Sequence, residues 1–220
     1  MFATSKLDNR LLIALSSRNL KQIMLEMEHI RCEHGQCLID VDEPLDDVYF
    51  PGSCVISLLA VYADGSSIEM ATIGREGCTA VQAVLGAETS LFGSSFSSPA
   101  VRQRCRARPS IGPWRRCRPF ETSCSPTPQA FLEQVLVSVA CNGAHSLKQR
   151  LARWLLTMRD RSDDDTLQIT QNLLAEMLGV HRPTITNAAR EGTYRFAPSQ
   201  NIPVNRNSIH VGNVDYRHLA

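Results

Sequence analysis

The stretch Leu167–Glu191, LQITQNLLAEMLGVHRPTITNAARE, holds two short apolar-periodic runs separated by one glycine. Thr170 stands before the first run, where its hydroxyl can accept from an orphan backbone N–H. Leu174, Leu178 and Val180 supply an apolar seam, and Ala175 is small enough to let another helix cross closely. Gly179 tolerates the positive φ that a tight turn demands. Pro183 falls in the first turn of the second run, where its missing N–H costs no bond. Ile185 offers an aliphatic side chain to bury against Ala175, with Ala188 as a smaller second partner. These are the requirements of a helix-turn-helix. An ordinary helical hairpin is the competing reading of the same residues.

On the first reading, Arg182 to Arg190 is the helix that enters a major groove, with its N-terminal side chains facing base edges. Arg182 suits a bidentate contact to guanine, and Asn187 one to adenine. Thr170, Gln171, His181 and Thr184 are placed for phosphates, which position a protein without reading sequence. Arg190 completes the candidate set at the far end of the helix.

Upstream, Ser146 and Gln149 have the spacing of a capping box. Leu147, Leu151, Trp154, Leu155 and Met158 give the helix that follows one buried face. Before it, Phe131, Leu132, Val135, Leu136 and Val139 form a stripe too wide for one contact. Such a helix is either buried on two sides, as in a dimer seam, or an ordinary core helix.

From Ile30 to about Ala83 the period changes to two, punctuated by Gly35, Pro44, Gly52, Gly65, Gly74 and Gly77. Short strands at this spacing predict a small roll or barrel. Asp64-Gly65 reads as a two-residue hairpin turn. It would pair Val61 with Ile68 and Leu59 with Met70 on an apolar face. Tyr62 with Ser67 and Ala60 with Glu69 would lie on a mostly polar face. At the N-terminus, Leu11, Leu12, Leu15, Leu20, Ile23, Met24 and Met27 recur at helical spacing, with Asp8 as a cap.

Two segments break the pattern. Residues 101–128 are dense in Arg, Pro and Cys with neither period, and residues 192–220 open on Gly192 without an apolar continuation. The first reads as a basic nucleic-acid-binding arm, as a solvated loop, or as sequence that never evolved as protein.

The chain has 220 residues, 43% hydrophobic and 20% charged, with a net charge of +1. Any positive charge that meets nucleic acid must therefore be local. No apolar run is long enough to span a bilayer and no signal core opens the sequence, so a cytoplasmic protein is expected. Eight cysteines include no C-x-x-C pair. Cys32 and Cys37, with His34 between them, read as half-buried strand residues rather than metal ligands. No nucleophile elbow, zinc-protease motif or phosphate loop accompanies the Ser, His and Asp residues, so no enzyme is expected.

Three ordered blocks resemble Crp/Fnr transcription regulators. YFPGSCVISLL (49–59) with the hairpin through TIGREGCTAV (72–81) is similar to their β-roll. FLEQVLVSVACNGAHSLKQRLARWLLTMRDR (131–161) is similar to the dimer helix and the helix after it. Leu167–Glu191 is similar to their helix-turn-helix. The resemblance implies an α+β chain: an antiparallel, cyclic-nucleotide-binding-like β-roll over 1–128, a dimerisation helix over 129–144, and a helix-turn-helix domain over 145–220. Residues 101–128 and 192–220 depart from that family's pattern as sequence outside the ancestral frame, so that no wing is expected after the second helix. It implies a homodimer that senses a signal through the roll and binds double-stranded DNA at a near-palindrome, with a contact to RNA polymerase. The stretch GAETSLFGSSFSSPAV (86–101) lacks the Arg that holds a cyclic-nucleotide phosphate in members with that ligand, so neither that effector nor any cofactor is expected. The alternative is a β-roll sensor or interaction protein, a degraded regulator that no longer binds DNA.

Overall fold

The period-two stretch folds as strands that wrap a small apolar interior. The computed structural model describes residues 8–25, 27–31, 35–79, 81–96, 104–108, 126–161, 166–191, 195–198 and 207–210. Helices α1 (Arg10–Ala14) and α2 (Ser17–Leu25) precede β1 (Glu28–Arg31), β2 (Cys37–Ile39), β3 (Val48–Pro51), β4 (Ile56–Val61) and β5 (Ser67–Ile73). A short α3 (Val81–Val84) leads to β6 (Gly93–Phe96) and β7 (Arg104–Arg108). Then follow α4 (Pro126–Ala144), α5 (Leu147–Arg161), β8 (Thr166–Gln168), α6 (Gln171–Leu178), α7 (Arg182–Glu191), β9 (Arg195–Pro198) and β10 (Asn207–His210).

The roll consists of two antiparallel sheets, ordered β1-β7-β3 and β2-β6-β4-β5. Its interior gathers Ile39, Leu45, Tyr49, Cys54, Ile56, Leu58, Ala71 and Ile73, and Phe131 and Val135 of α4 pack against it. A second cluster seats Leu12, Leu15 and Ile23 of the N-terminal helices on Val48 and Phe50. Asn9 makes that junction. Its side chain accepts from Leu12 N and donates to the carbonyls of Pro51 and Gly77, both at 2.9 Å. The cap is thus Asn9 rather than the expected Asp8.

The hairpin also departs from expectation. Its loop has three residues, Ala63-Asp64-Gly65, closed by Tyr62 N to Ser66 O at 2.8 Å. Gly65 has φ +82°, the left-handed position that a three-residue hairpin loop requires. The register slips by one accordingly: Val61 pairs with Ser67, Ala60 with Ile68 and Leu59 with Glu69. An irregularity between Leu58 and Leu59 absorbs Met70, and the expected register resumes with Leu58 opposite Ala71.

Nor is the second face of this sheet solvated. Ile56 and Leu58 point into the roll, whereas Val55 and Leu59 join a third cluster built by the C-terminal helices. The alternation is that of a strand buried on both faces. The cluster contains Leu151, Trp154, Leu155 and Met158 of α5, the apolar seam of α6, and Ile185 and Ala188 of α7.

The two atypical segments need correction where their backbone is described. Arg104–Arg108 is a strand hydrogen-bonded between β1 and β3, so part of 101–128 continues the roll. Beyond Glu191, β9 and β10 pair with each other and with β8 as an antiparallel sheet in the order β8-β10-β9. Short strands therefore follow α7, where no wing was expected. Residues 126–128 already belong to α4, and Cys32, His34 and the remainder of both segments lie outside the described residues. Where cysteine side chains are described (Cys37, Cys54, Cys78 and Cys141), they are free thiols. No helix among the described residues is long and apolar enough to cross a membrane.

Candidate nucleic-acid interface

Thr170 caps α6: its hydroxyl accepts from Leu173 N at 3.1 Å, with extended backbone at φ −88°, ψ 152°. Five residues of the helix are buried, with Leu174 fully enclosed. The helix stops at Gly179, whose φ of +62° is left-handed, and Val180 N bonds back to Ala175 O at 2.9 Å. This is a Schellman-type ending, which turns the chain sharply and satisfies the last carbonyls. Arg150 of α5 donates to the Leu178 carbonyl and closes the same corner.

Helix α7 crosses there. Ile185 is fully buried and Ala188 nearly so, both in one cluster with Ala175, Leu174 and Leu178. The apolar seam is the one anticipated from the sequence. With that face spent on packing, the opposite face carries the polar residues. His181, Arg182, Thr184 and Asn187 are all exposed. The backbone of Arg190 belongs to α7, and its side chain lies outside the described residues.

Gln171 differs from the other candidates in being held. Its Oε1 accepts from the Thr186 hydroxyl at 2.8 Å, and Thr186 also donates to the Arg182 carbonyl at 3.3 Å. Thr186 thus pins a side chain of α6 from α7, a role that residue-by-residue reading missed. Its half-buried position between buried Ile185 and exposed Asn187 acquires meaning only once the helices are packed.

The roll reaches this unit through the β4–β5 hairpin. A Cβ placed on Gly179 would lie 2.7 Å from Ile68 Cδ1, so the hairpin rests directly on the turn. Ser67 donates to Glu176 Oε1 at 2.8 Å. Beside this contact is a crevice of about 430 Å³, lined by Asp64, Ser66, Glu176 and His181 among others. Hydrogen bonds from the Ser66 hydroxyl and then the Ser66 backbone hold the Asp64 carboxyl below its ordinary pKa.

Residues 149–191 match the family described as the Crp-like helix-turn-helix domain. No curated protein matches the sequence as a relative. Among solved structures, the chain is similar to a protein from Eubacterium rectale assigned to the Crp/Fnr family of transcriptional regulators: TM-score 0.67 and 15% identity, over 96% of this chain and 95% of that one. It is also similar to CLP, the c-di-GMP-responsive global regulator of Xanthomonas campestris, with TM-score 0.63 and 14% identity over 90% and 100%. A third is FixK2 of Bradyrhizobium japonicum, with TM-score 0.62 and 13% identity over 85% and 93%. The chain therefore carries a Crp-like helix-turn-helix domain on the fold of Crp/Fnr transcriptional regulators.

Proposed function

We propose that this protein is a sequence-specific, double-stranded-DNA-binding transcription regulator of the cytoplasm that acts as a homodimer. The observation that carries the proposal is the two-sided character of α7. Ile185 and Ala188 are buried, while Arg182, Thr184 and Asn187 stand in solvent on a helix whose position the Ala175 crossing fixes. Arg182 and Asn187 read base edges. Thr170, Gln171, His181, Thr184 and Arg190 serve the backbone and the helix end, with Gln171 pre-positioned by Thr186.

Helix α4 supports the dimer. Leu132, Leu136, Val137 and Val139 are 56%, 58%, 57% and 64% exposed. Leu132, Leu136 and Val139 follow the spacing of a helix–helix seam, on a strip that adjoins roll-facing Phe131 and Val135, roughly a quarter turn further round the helix. Two copies joined there present two recognition helices to a near-palindrome, with half-sites about 34 Å apart. The working units are the roll (1–128), the dimer helix (129–144) and the DNA-binding unit (145–220), the last also available to RNA polymerase.

Titration of a duplex with the full chain at increasing salt tests this reading. The expected result is a shifted complex whose log affinity falls linearly with log salt, with several phosphate contacts in the slope. Absence of a shift at low salt would leave a roll-based sensor or interaction protein.

A further inference from the structure

A cavity of about 300 Å³ lies where five elements converge: α1 through Leu11, the end of β5 through Thr72 and Ile73, α3 through Val81, α4 through Ala130, Phe131 and Gln134, and α5 through Arg161. Its walls are mainly apolar. Its polar groups form one connected chain. Gln134 Nε2 donates to Thr72 Oγ1 at 3.0 Å, Arg161 Nη1 donates to the same oxygen at 2.6 Å, and Arg161 Nε donates to Glu76 Oε1 at 2.5 Å.

Two accepted bonds occupy both lone pairs of the buried Thr72 hydroxyl. Its own O–H then has no acceptor among the described residues, nor has the Gln134 carbonyl oxygen a donor. Turning the amide over exchanges the roles and still leaves an N–H donor unspent in the same place. The one cation of the lining, Arg161, is already paired with Glu76. An anionic guest would meet Glu76, and a cationic one would meet Arg161. Neither charge is free to compensate it.

We propose that this cavity binds a small, neutral, largely apolar molecule bearing a single hydroxyl or amide head. The head donates to Gln134 and accepts from Thr72, and the body lies against Ile73, Val81 and Phe131. A volume of this size is at the small end of ligand sites and suits a compact one- or two-ring guest. On the regulator reading above, such a guest bridges the roll, the dimer helix and the helix that leads into the DNA-binding unit. Binding itself does not depend on that reading.

The test uses the full chain and 2-naphthol, followed by its own fluorescence. Naphthalene serves as the analogue without a head and 2-naphthoate as the anion. The expected result is saturable binding of one 2-naphthol per chain, with naphthalene about tenfold weaker, the loss of one or two hydrogen bonds, and 2-naphthoate weaker still. Ala130→Phe, at an exposed rim position that tolerates bulk, should abolish binding without lowering the thermal midpoint. Thr72→Val should reduce 2-naphthol to the level of naphthalene. Should Thr72→Val fail to fold, Ala130→Phe decides alone. Unsaturable uptake, binding indifferent to Ala130→Phe, or 2-naphthoate binding as well as 2-naphthol would overturn the proposal. DNA binding is absent from the assay, so its outcome is independent of the regulator reading.

Discussion

The carboxylate of Glu69, on strand β5, accepts from the indole N–H of Trp154, on helix α5, at 2.7 Å. Its other oxygen accepts from the Ser57 hydroxyl of β4. One side chain of the roll is thus bonded to the core of the C-terminal helices. Burial pushes its pKa up to about 7, against the opposing pull of the Ser57 and Trp154 bonds and of the Arg153 and Arg161 charges.

A pH dependence follows. A carboxyl raised from its ordinary value near 4.5 to about 7 favours the packed state when protonated. Its contribution is complete below about pH 4.5 and is lost as pH rises through 7, at most about 3 kcal/mol in all. Urea unfolding between pH 5 and 8 should show stability falling with pH from 5 to about 7 and levelling off above that. Glu69→Gln, which keeps an acceptor for Trp154 and carries no charge, should flatten the profile and raise stability at pH 8. An equally steep profile in Glu69→Gln would place the titrating group elsewhere.

Gly179→Ala combines two faults, a left-handed φ and a Cβ inside the Ile68 side chain. The expected loss is about 1–3 kcal/mol. Adding Ile68→Ala to Gly179→Ala should return the packing part and leave the backbone part. In a double-mutant cycle the coupling is then favourable and close to 1 kcal/mol. Strict additivity would mean that the hairpin does not rest on the turn.

Substitutions on α7 should separate base reading from backbone contact. Arg182→Ala and Asn187→Ala should each weaken the preferred duplex by about 1–3 kcal/mol and relax specificity at single positions, with binding to unrelated duplex little changed. Thr186→Val frees Gln171 and should weaken all duplexes alike, by less. A uniform loss for Arg182→Ala in a competition assay would make Arg182 a phosphate ligand instead.

Leu136→Glu places a charge in the middle of the exposed apolar face of α4. Sedimentation velocity should show a dimer for the parent and a monomer for the variant, with unchanged far-ultraviolet circular dichroism. DNA affinity should fall with the loss of the second half-site. A parent chain that sediments as a monomer at micromolar concentration would remove α4 as a seam.

The helix-turn-helix was legible because its constraints are local. Cap, small crossing residue, left-handed glycine and buried isoleucine all fall between Thr170 and Ile185, and the structure shows each of them in its place. What was illegible depended on residues far apart or on a single-residue register. Glu69 was expected on a wet face opposite Ala60. A three-residue loop and the irregularity at Leu58/Leu59 instead set it opposite Leu59, bonded to Ser57 and Trp154. Asn9 bonds to carbonyls 42 and 68 residues away, which no periodicity reveals. Strand β7, with the sequence RCRAR, lacks an apolar alternation of its own, and backbone pairing to β1 and β3 on both sides defines it. The Thr186–Gln171 bond required both helices to be in place.

Selection from a random duplex library with the full chain at physiological salt bears most directly on the central claim. The account predicts enrichment of a near-palindrome whose half-sites lie about one helical turn apart, with enrichment lost in the Arg182→Ala, Asn187→Ala double variant. A library that stays random through successive rounds, or a motif retained unchanged by that double variant, would contradict it.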